Sequence, residues 1–190
     1  MNPEVKRILK ESIPILVLCA IGGVVAGIML QGMERELLKI PGLLILLPAI
    51  LGMRGNISGA LGSRLASALH LGLIDPELRW NKVLSNNVWA SMLLNVLMSF
   101  LLGLISYAAY ELADFKNHAN VLELTAIAVI AGVLAGLILA ALSVLLAILT
   151  YARGLDPDNI LMPSLSTVGD IITVICLLFA VRIVGYIPFI

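Results

Sequence analysis

Five long apolar stretches alternate with short polar ones along this chain. They run from Ser12 to Met33, Ile40 to Ile74, Val83 to Tyr110, Leu124 to Ala152 and Asn159 to Val181. Crossing about 30 Å of hydrocarbon takes roughly 20 helical residues, so each stretch is long enough to span a bilayer. A membrane strand would alternate apolar and polar residues over about ten positions. These runs are continuous Leu, Ile, Val and Ala, which predicts helices. The expected architecture is an all-α integral membrane protein, one transmembrane domain over residues 1–190, with five transmembrane helices near 12–33, 41–72, 83–110, 122–152 and 159–187. The connections from Met33 to Lys39, Asp75 to Lys82, Asp114 to Glu123 and Arg153 to Asp158 are too short for another domain. The polar head 1–11, with Lys6, Arg7 and Lys10, is expected to be a short interfacial helix on the cytoplasmic side. The run behind it exceeds the roughly 7–15 residues of a signal-peptide core, so it reads as a retained helix.

Composition agrees with this pattern and removes several function classes. Apolar residues make up 61% and charged ones 13%, with a mean hydropathy of +1.07, against about 25% charged in a soluble domain. Twelve Lys and Arg balance twelve Asp and Glu, leaving no basic field for nucleic acid. Two cysteines, Cys19 and Cys176, and two histidines provide neither a disulfide framework nor a zinc module. With the N-terminus inside, that side holds six cationic residues (Lys6, Arg7, Lys10, Arg79, Lys82, Arg153) and the other four (Arg35, Lys39, Lys116, Arg182). Positive residues favour the cytoplasm, so a multi-pass cell-membrane protein with its N-terminus cytoplasmic and C-terminus outside is expected.

Charges inside the runs carry the candidate chemistry, because each costs about 2.5–3.5 kcal/mol at mid-depth on insertion scales. Eleven uncharged residues precede Asp170 in the last run and eleven follow it. Ser166, Thr167 and Thr173 stand at i−4, i−3 and i+3 from it, on one helix face. A face of oxygens alone suits a hard cation such as Mg²⁺ or Na⁺ rather than a transition metal. Pro163 is expected to kink this helix and free carbonyls toward a water-filled path. The bland reading of Asp170 is a buried ion pair or a protonated acid.

The second run carries Arg54 and Asn56 at mid-depth between Gly52, Gly55, Gly59 and Gly62. Gly55 and Gly59 form a G-x-x-x-G pair that suits close helix packing. The 35 residues from Ile40 to Ile74 would rise about 52 Å as one helix, so a break or strong tilt near the glycines is expected. Paired with Arg54, Asp170 would be neutralised as a cation ligand; the spacing leaves that pairing open. At the mouth of the last helix, Asp156 and Asp158 flank Pro157, which fits both an N-cap and an acidic rim. Asn95 reads as a bond to a neighbouring helix and His70 as interfacial.

Leu47-Pro48-Ala49-Ile50-Leu51-Gly52-Met53-Arg54-Gly55-Asn56 and Gly62-Ser63-Arg64-Leu65-Ala66-Ser67-Ala68 resemble the second-helix signature of the eukaryotic solute-carrier-41 magnesium transporters. Asp156-Pro157-Asp158-Asn159, Pro163, Ser166-Thr167 and Asp170 resemble the last-helix signature of that family and of the bacterial MgtE magnesium channels. The resemblance implies a five-helix Mg²⁺-conducting unit that works as a symmetric homodimer, with its pore on the twofold axis. It implies that Asp170 faces a hydrated Mg²⁺, that Gly55 and Asn56 line the same pore, and that Asp156 marks its cytoplasmic entrance. The bacterial channels carry large cytoplasmic domains ahead of the first helix. About a dozen residues stand there in this sequence, so gating by such domains is not expected.

The expected function is therefore transport of a divalent cation, Mg²⁺ as the carried ion, with Asp170, Asn56, Ser166, Thr167, Gly55 and Asp156 around it and no enzymatic role. Three other readings remain open: Na⁺- or H⁺-coupled Mg²⁺ exchange, a non-transporting packing subunit, and an enzyme acting on lipid head groups. The last would need nucleophile, base or metal-ligand clusters at the interface, where only Asp156 and Asp158 stand.

Overall fold

The computed structural model describes residues 3–115, 117 and 119–187, with the backbone alone at residues 3, 4, 7 and 158. Lys116 and the side chains of Arg7 and Asp158, all drawn on above, lie outside what is described. The described residues form six helices and no strand: α1 (Pro3–Gly32), α2 (Glu34–Lys39), α3 (Leu43–His70), α4 (Lys82–Leu112), α5 (Val121–Ala152) and α6 (Pro157–Gly185). Five of them, all but α2, are long and apolar enough to cross a membrane. With no water in the hydrocarbon to satisfy backbone groups, such segments close every backbone hydrogen bond within themselves.

Helix boundaries follow local chemistry. Asn81 caps α4 by accepting the Leu84 N–H at 2.8 Å, and Asn120 caps α5 by accepting from Leu122 at 2.9 Å and Glu123 at 3.3 Å. Gly154 ends α5 at φ 68°, the left-handed turn that glycine adopts without strain. Gly42 turns α2 into α3 at φ 85°, where a Cβ would come within 2.7 Å of Leu124 Cδ1. Only glycine fits there.

Four details depart from the sequence reading. The polar head is no separate interfacial element: α1 continues from Pro3 through Pro14, and Glu11 Oε2 accepts a hydrogen bond from Asn159 Nδ2 of α6 at 3.0 Å. The segment after Met33 forms the short helix α2, which buries Leu37. The second span is unbroken. It has 28 residues and a rise of about 42 Å, because Gly42 and the turn after His70 trim both ends of the apolar run. α6 likewise continues through Pro163, whose carbonyl accepts the Cys19 thiol at 3.2 Å.

α5 is the central helix and packs on α3, α4 and α6. Two large clusters and a small one of Ala135, Leu139 and Cys176 fill the interior among the described residues. Leu43, Leu46, Ile50, Leu124, Ile127 and Leu177 build one of the large clusters, and Leu61, Leu65, Leu69, Ile148, Leu161 and Leu165 the other. α1 runs parallel to α6 along its outer side and leaves most of its own surface facing outward. The helices alternate in direction, so the start of α1, the α3–α4 connection and the α5–α6 connection share one end. His70 and Tyr151 meet there edge-to-face at 5.3 Å.

Candidate functional site

α3 and α6 pack side by side and leave between them a groove of about 430 Å³, open on the outer face. Gly52, Gly55 and Asn56 line it from α3, and Met162, Ser166 and Asp170 from α6. Most of this lining is small or polar. A surface that meets lipid normally presents large aliphatic side chains, and small or polar residues at such positions mark contact with another helix or with water.

Asp170 stands at the inner edge of the groove. Arg54 Nη2 of α3 donates to its Oδ1 at 2.6 Å, so the partner that spacing left open is settled. The two ends of this pair sit in different surroundings: the Arg54 side chain is 2% exposed and the Asp170 side chain 38% exposed. Gly169 makes the approach possible, since a Cβ there would collide with Arg54 Nη1 and come within 2.7 Å of Cζ. The adjacency of Gly169 to Asp170 was visible in the sequence, but only the arginine's approach gives it a meaning. Arg54 Nε and Nη1 have no hydrogen-bond partner among the described residues. Such an arginine is held by one carboxylate oxygen and by packing.

Four of the six residues singled out from the sequence meet at this place: Gly55, Asn56, Ser166 and Asp170. Thr167 does not line the groove. It lies about 100° around the helix from Ser166, and its methyl group fills the notch at Gly22 of α1, where a Cβ would be 2.5 Å away. Asp156 lines a separate cavity at the shared end of the bundle with His70, Tyr151, Gly154 and Leu155. Thr173 is fully buried, its hydroxyl without a partner among the described residues. Both glycines of the pair line the groove, but Gly59 packs against Met162 while Gly55 has open space where a Cβ would stand.

A second polar cluster went unread in the sequence. Arg64 donates from Nε to Asn87 Oδ1 and from Nη2 to Ser91 Oγ, both at 2.9 Å. Asn95, expected to bond to another helix, donates instead to the Ser91 carbonyl of its own helix at 2.9 Å, and its amide fills the notch at Gly136.

The donor set at the groove is oxygen from a carboxylate, an amide and a hydroxyl. Among the described residues no three His, Cys, Asp or Glu side chains converge on one point. This chain thus offers a single carboxylate at the groove, too few ligands to hold a dehydrated hard cation by itself.

Residues 47–180 match the family model described as MgtE, a divalent cation transporter. The chain is 31% identical over 171 residues to solute carrier family 41 member 3 of Rattus norvegicus, covering 85% of this chain and 36% of that protein. It is 32% identical over 167 residues to solute carrier family 41 member 2 of Homo sapiens, covering 82% of this chain and 28% of that protein. The member 2 protein of Mus musculus is 33% identical over 188 residues, covering 88% and 31%. The chain therefore spans about a third of the length of these relatives. The match takes in both groove-lining helices and the whole of α4 and α5 between them, and the chain belongs to the MgtE family of divalent cation transporters.

Proposed function

We propose that this chain carries Mg²⁺ across the membrane through the α3/α6 groove, closed into a pore by a second copy of itself. The observation that carries the reading is Asp170, an acid at the middle of a membrane span that is more than a third exposed and opens into a groove with Asn56 and Ser166. Arg54 engages Oδ1, which leaves Oδ2 for the water shell of an ion. Two grooves facing across a twofold axis would surround that shell with two carboxylates, two amides and two hydroxyls. The open space at Gly55 supports the same reading, because it allows close approach without filling the path. Asp156, at the end of the bundle where positive residues predominate, marks the cytoplasmic mouth. The N-terminus is then cytoplasmic and the C-terminus outside.

Reconstitution in liposomes that enclose a Mg²⁺-sensitive dye tests this. Removing only the carboxylate leaves Arg54 buried and unpaired, which is strongly destabilising. Asp170→Asn is therefore measured beside Arg54→Gln/Asp170→Asn, which removes both charges. Uptake should fall at least about tenfold in both, the cost of losing a charged contact worth about 1.4 kcal/mol or more. Wild-type uptake in the double variant would overturn the role of Asp170. Cross-linking through Gly52→Cys, on the outer face of α3, should give covalent dimers if two grooves face each other. The Arg54–Asp170 pair also suits coupled exchange, in which Na⁺ or a proton would compete for the carboxylate. Uptake that follows an imposed Na⁺ or pH gradient rather than the Mg²⁺ gradient and voltage would favour that reading.

A further inference from the structure

A pore that only attracts its ion does not conduct, because the site must also let go. Two bare carboxylates facing each other in a setting far less polar than water would grip a divalent cation hard, since charges a few ångströms apart interact about four times more strongly at an effective dielectric of ~20 than in bulk water. The groove contains the means to weaken that grip.

We propose that Arg54 is a fixed counter-charge that sets how tightly the groove holds its cation, a deepening that rests on the transport reading above. The guanidinium is buried behind Asp170, not in the groove itself: Arg54 is 2% exposed and does not line the cavity, whereas Asp170 does. It is seated by shape, in the space that the missing side chain of Gly169 leaves against α6. Its Nε and Nη1 have no hydrogen-bond partner among the described residues, so no second polar site draws it away from Oδ1. Each protomer thus offers the path a carboxylate whose charge is cancelled from behind. An arriving ion meets two dipoles pointing their negative ends at it instead of two full charges. Arg54 acts through Asp170 and is a positioning residue, and its effect is on affinity and release together.

The test separates half-saturating Mg²⁺ concentration from maximal uptake rate in the same liposomes. Arg54→Gln uncovers the carboxylate, so half-saturation should fall about tenfold or more while the maximal rate also falls, as release becomes slow. Arg54→Lys keeps the charge and should hold half-saturation within about threefold of wild type. Half-saturation unchanged or raised in Arg54→Gln would overturn the proposal, since a residue that only stabilises or only orients Asp170 gives one of those two results. If Arg54→Gln yields no folded protein, Gly169→Ala carries the test. It keeps every charge but displaces the guanidinium from its seat, and half-saturation must again fall; an unchanged value overturns the idea equally. Failure of the transport reading is distinct, because it shows as undiminished uptake by Arg54→Gln/Asp170→Asn.

Discussion

Two helix pairs in this molecule carry glycines and polar residues at membrane depth, and they treat them in opposite ways. Between α4 and α5 the contact is closed. Ser99 sits in the notch at Gly132, Asn95 in that at Gly136, and Thr125 against Gly103. Asn95, Ser99 and Ser106 are all buried, and Asn95 donates to the Ser91 carbonyl of its own helix. Between α3 and α6 part of the contact is left open. Gly52 and Gly55 meet nothing within 4 Å, Asn56 and Ser166 are exposed, and Asp170, in the middle of its span, faces the opening. Similar residue types fill the contact in one pair and line an open groove in the other. A small residue in a membrane helix is a statement about close approach, and whether the approaching group is a side chain or a solvent path depends on the partner helix.

The difference should be largest in chemical accessibility. With Cys19 and Cys176 first replaced by Ala, a membrane-impermeant maleimide should label Ser166→Cys in liposomes and leave Ser99→Cys unreacted, because a thiol reacts as its exposed thiolate. Protection of the Ser166→Cys thiol by millimolar Mg²⁺ would place the ion near that wall. Equal labelling of both positions would erase the distinction between the two pairs.

Stability should separate them next. Gly103→Ala pushes a methyl group to within 2.5 Å of the Thr125 Cα, a backbone atom that cannot rotate away. It should cost about 1–3 kcal/mol, the usual penalty of overpacking, read as a lower unfolding midpoint in detergent. Gly55→Ala meets open space and should leave the midpoint unchanged or raise it slightly, since alanine is the better helix former by about 1 kcal/mol. On the proposed transport reading its effect should appear in uptake instead, because the added methyl group would narrow the groove.

How much of this the sequence reveals depends on the range of the interaction. The five spans are legible because each follows from its own run of apolar residues, and a backbone in lipid has almost no alternative to helix. Asp170 stood out for the same reason, as one charge between two uncharged stretches. What the pattern hides is azimuth. Ser166 and Thr167 are neighbours in sequence, four and three residues before Asp170, yet one lines the groove and the other fills the Gly22 notch of α1. No feature of α6 alone distinguishes them. α3 is shorter than its apolar run because that run includes residues of the turns at both ends. The Arg54–Asp170 pair joins residues 116 positions apart, and the clue to it, Gly169, signals a close approach without saying by what.

The smallest expected effects distinguish the two asparagines, which the sequence presents as equals. Asn95→Ala removes an amide bonded to the Ser91 carbonyl and seated against Gly136. Side-chain hydrogen bonds within membrane bundles average about 0.6 kcal/mol, so the unfolding midpoint should drop slightly and half-saturation for Mg²⁺ should stay fixed. Asn56→Ala should do the reverse. Its amide is exposed on the groove wall, so its loss leaves the protomer as stable as before. On the proposed reading this amide would contact the ion through water, a contact close in strength to a direct one, and losing up to about 1 kcal/mol of it should raise half-saturation by about two- to fivefold. Should Asn56→Ala shift the midpoint while leaving half-saturation unchanged, the α3 wall would be packing surface like α4, and the contrast between the two pairs would reduce to one of exposure.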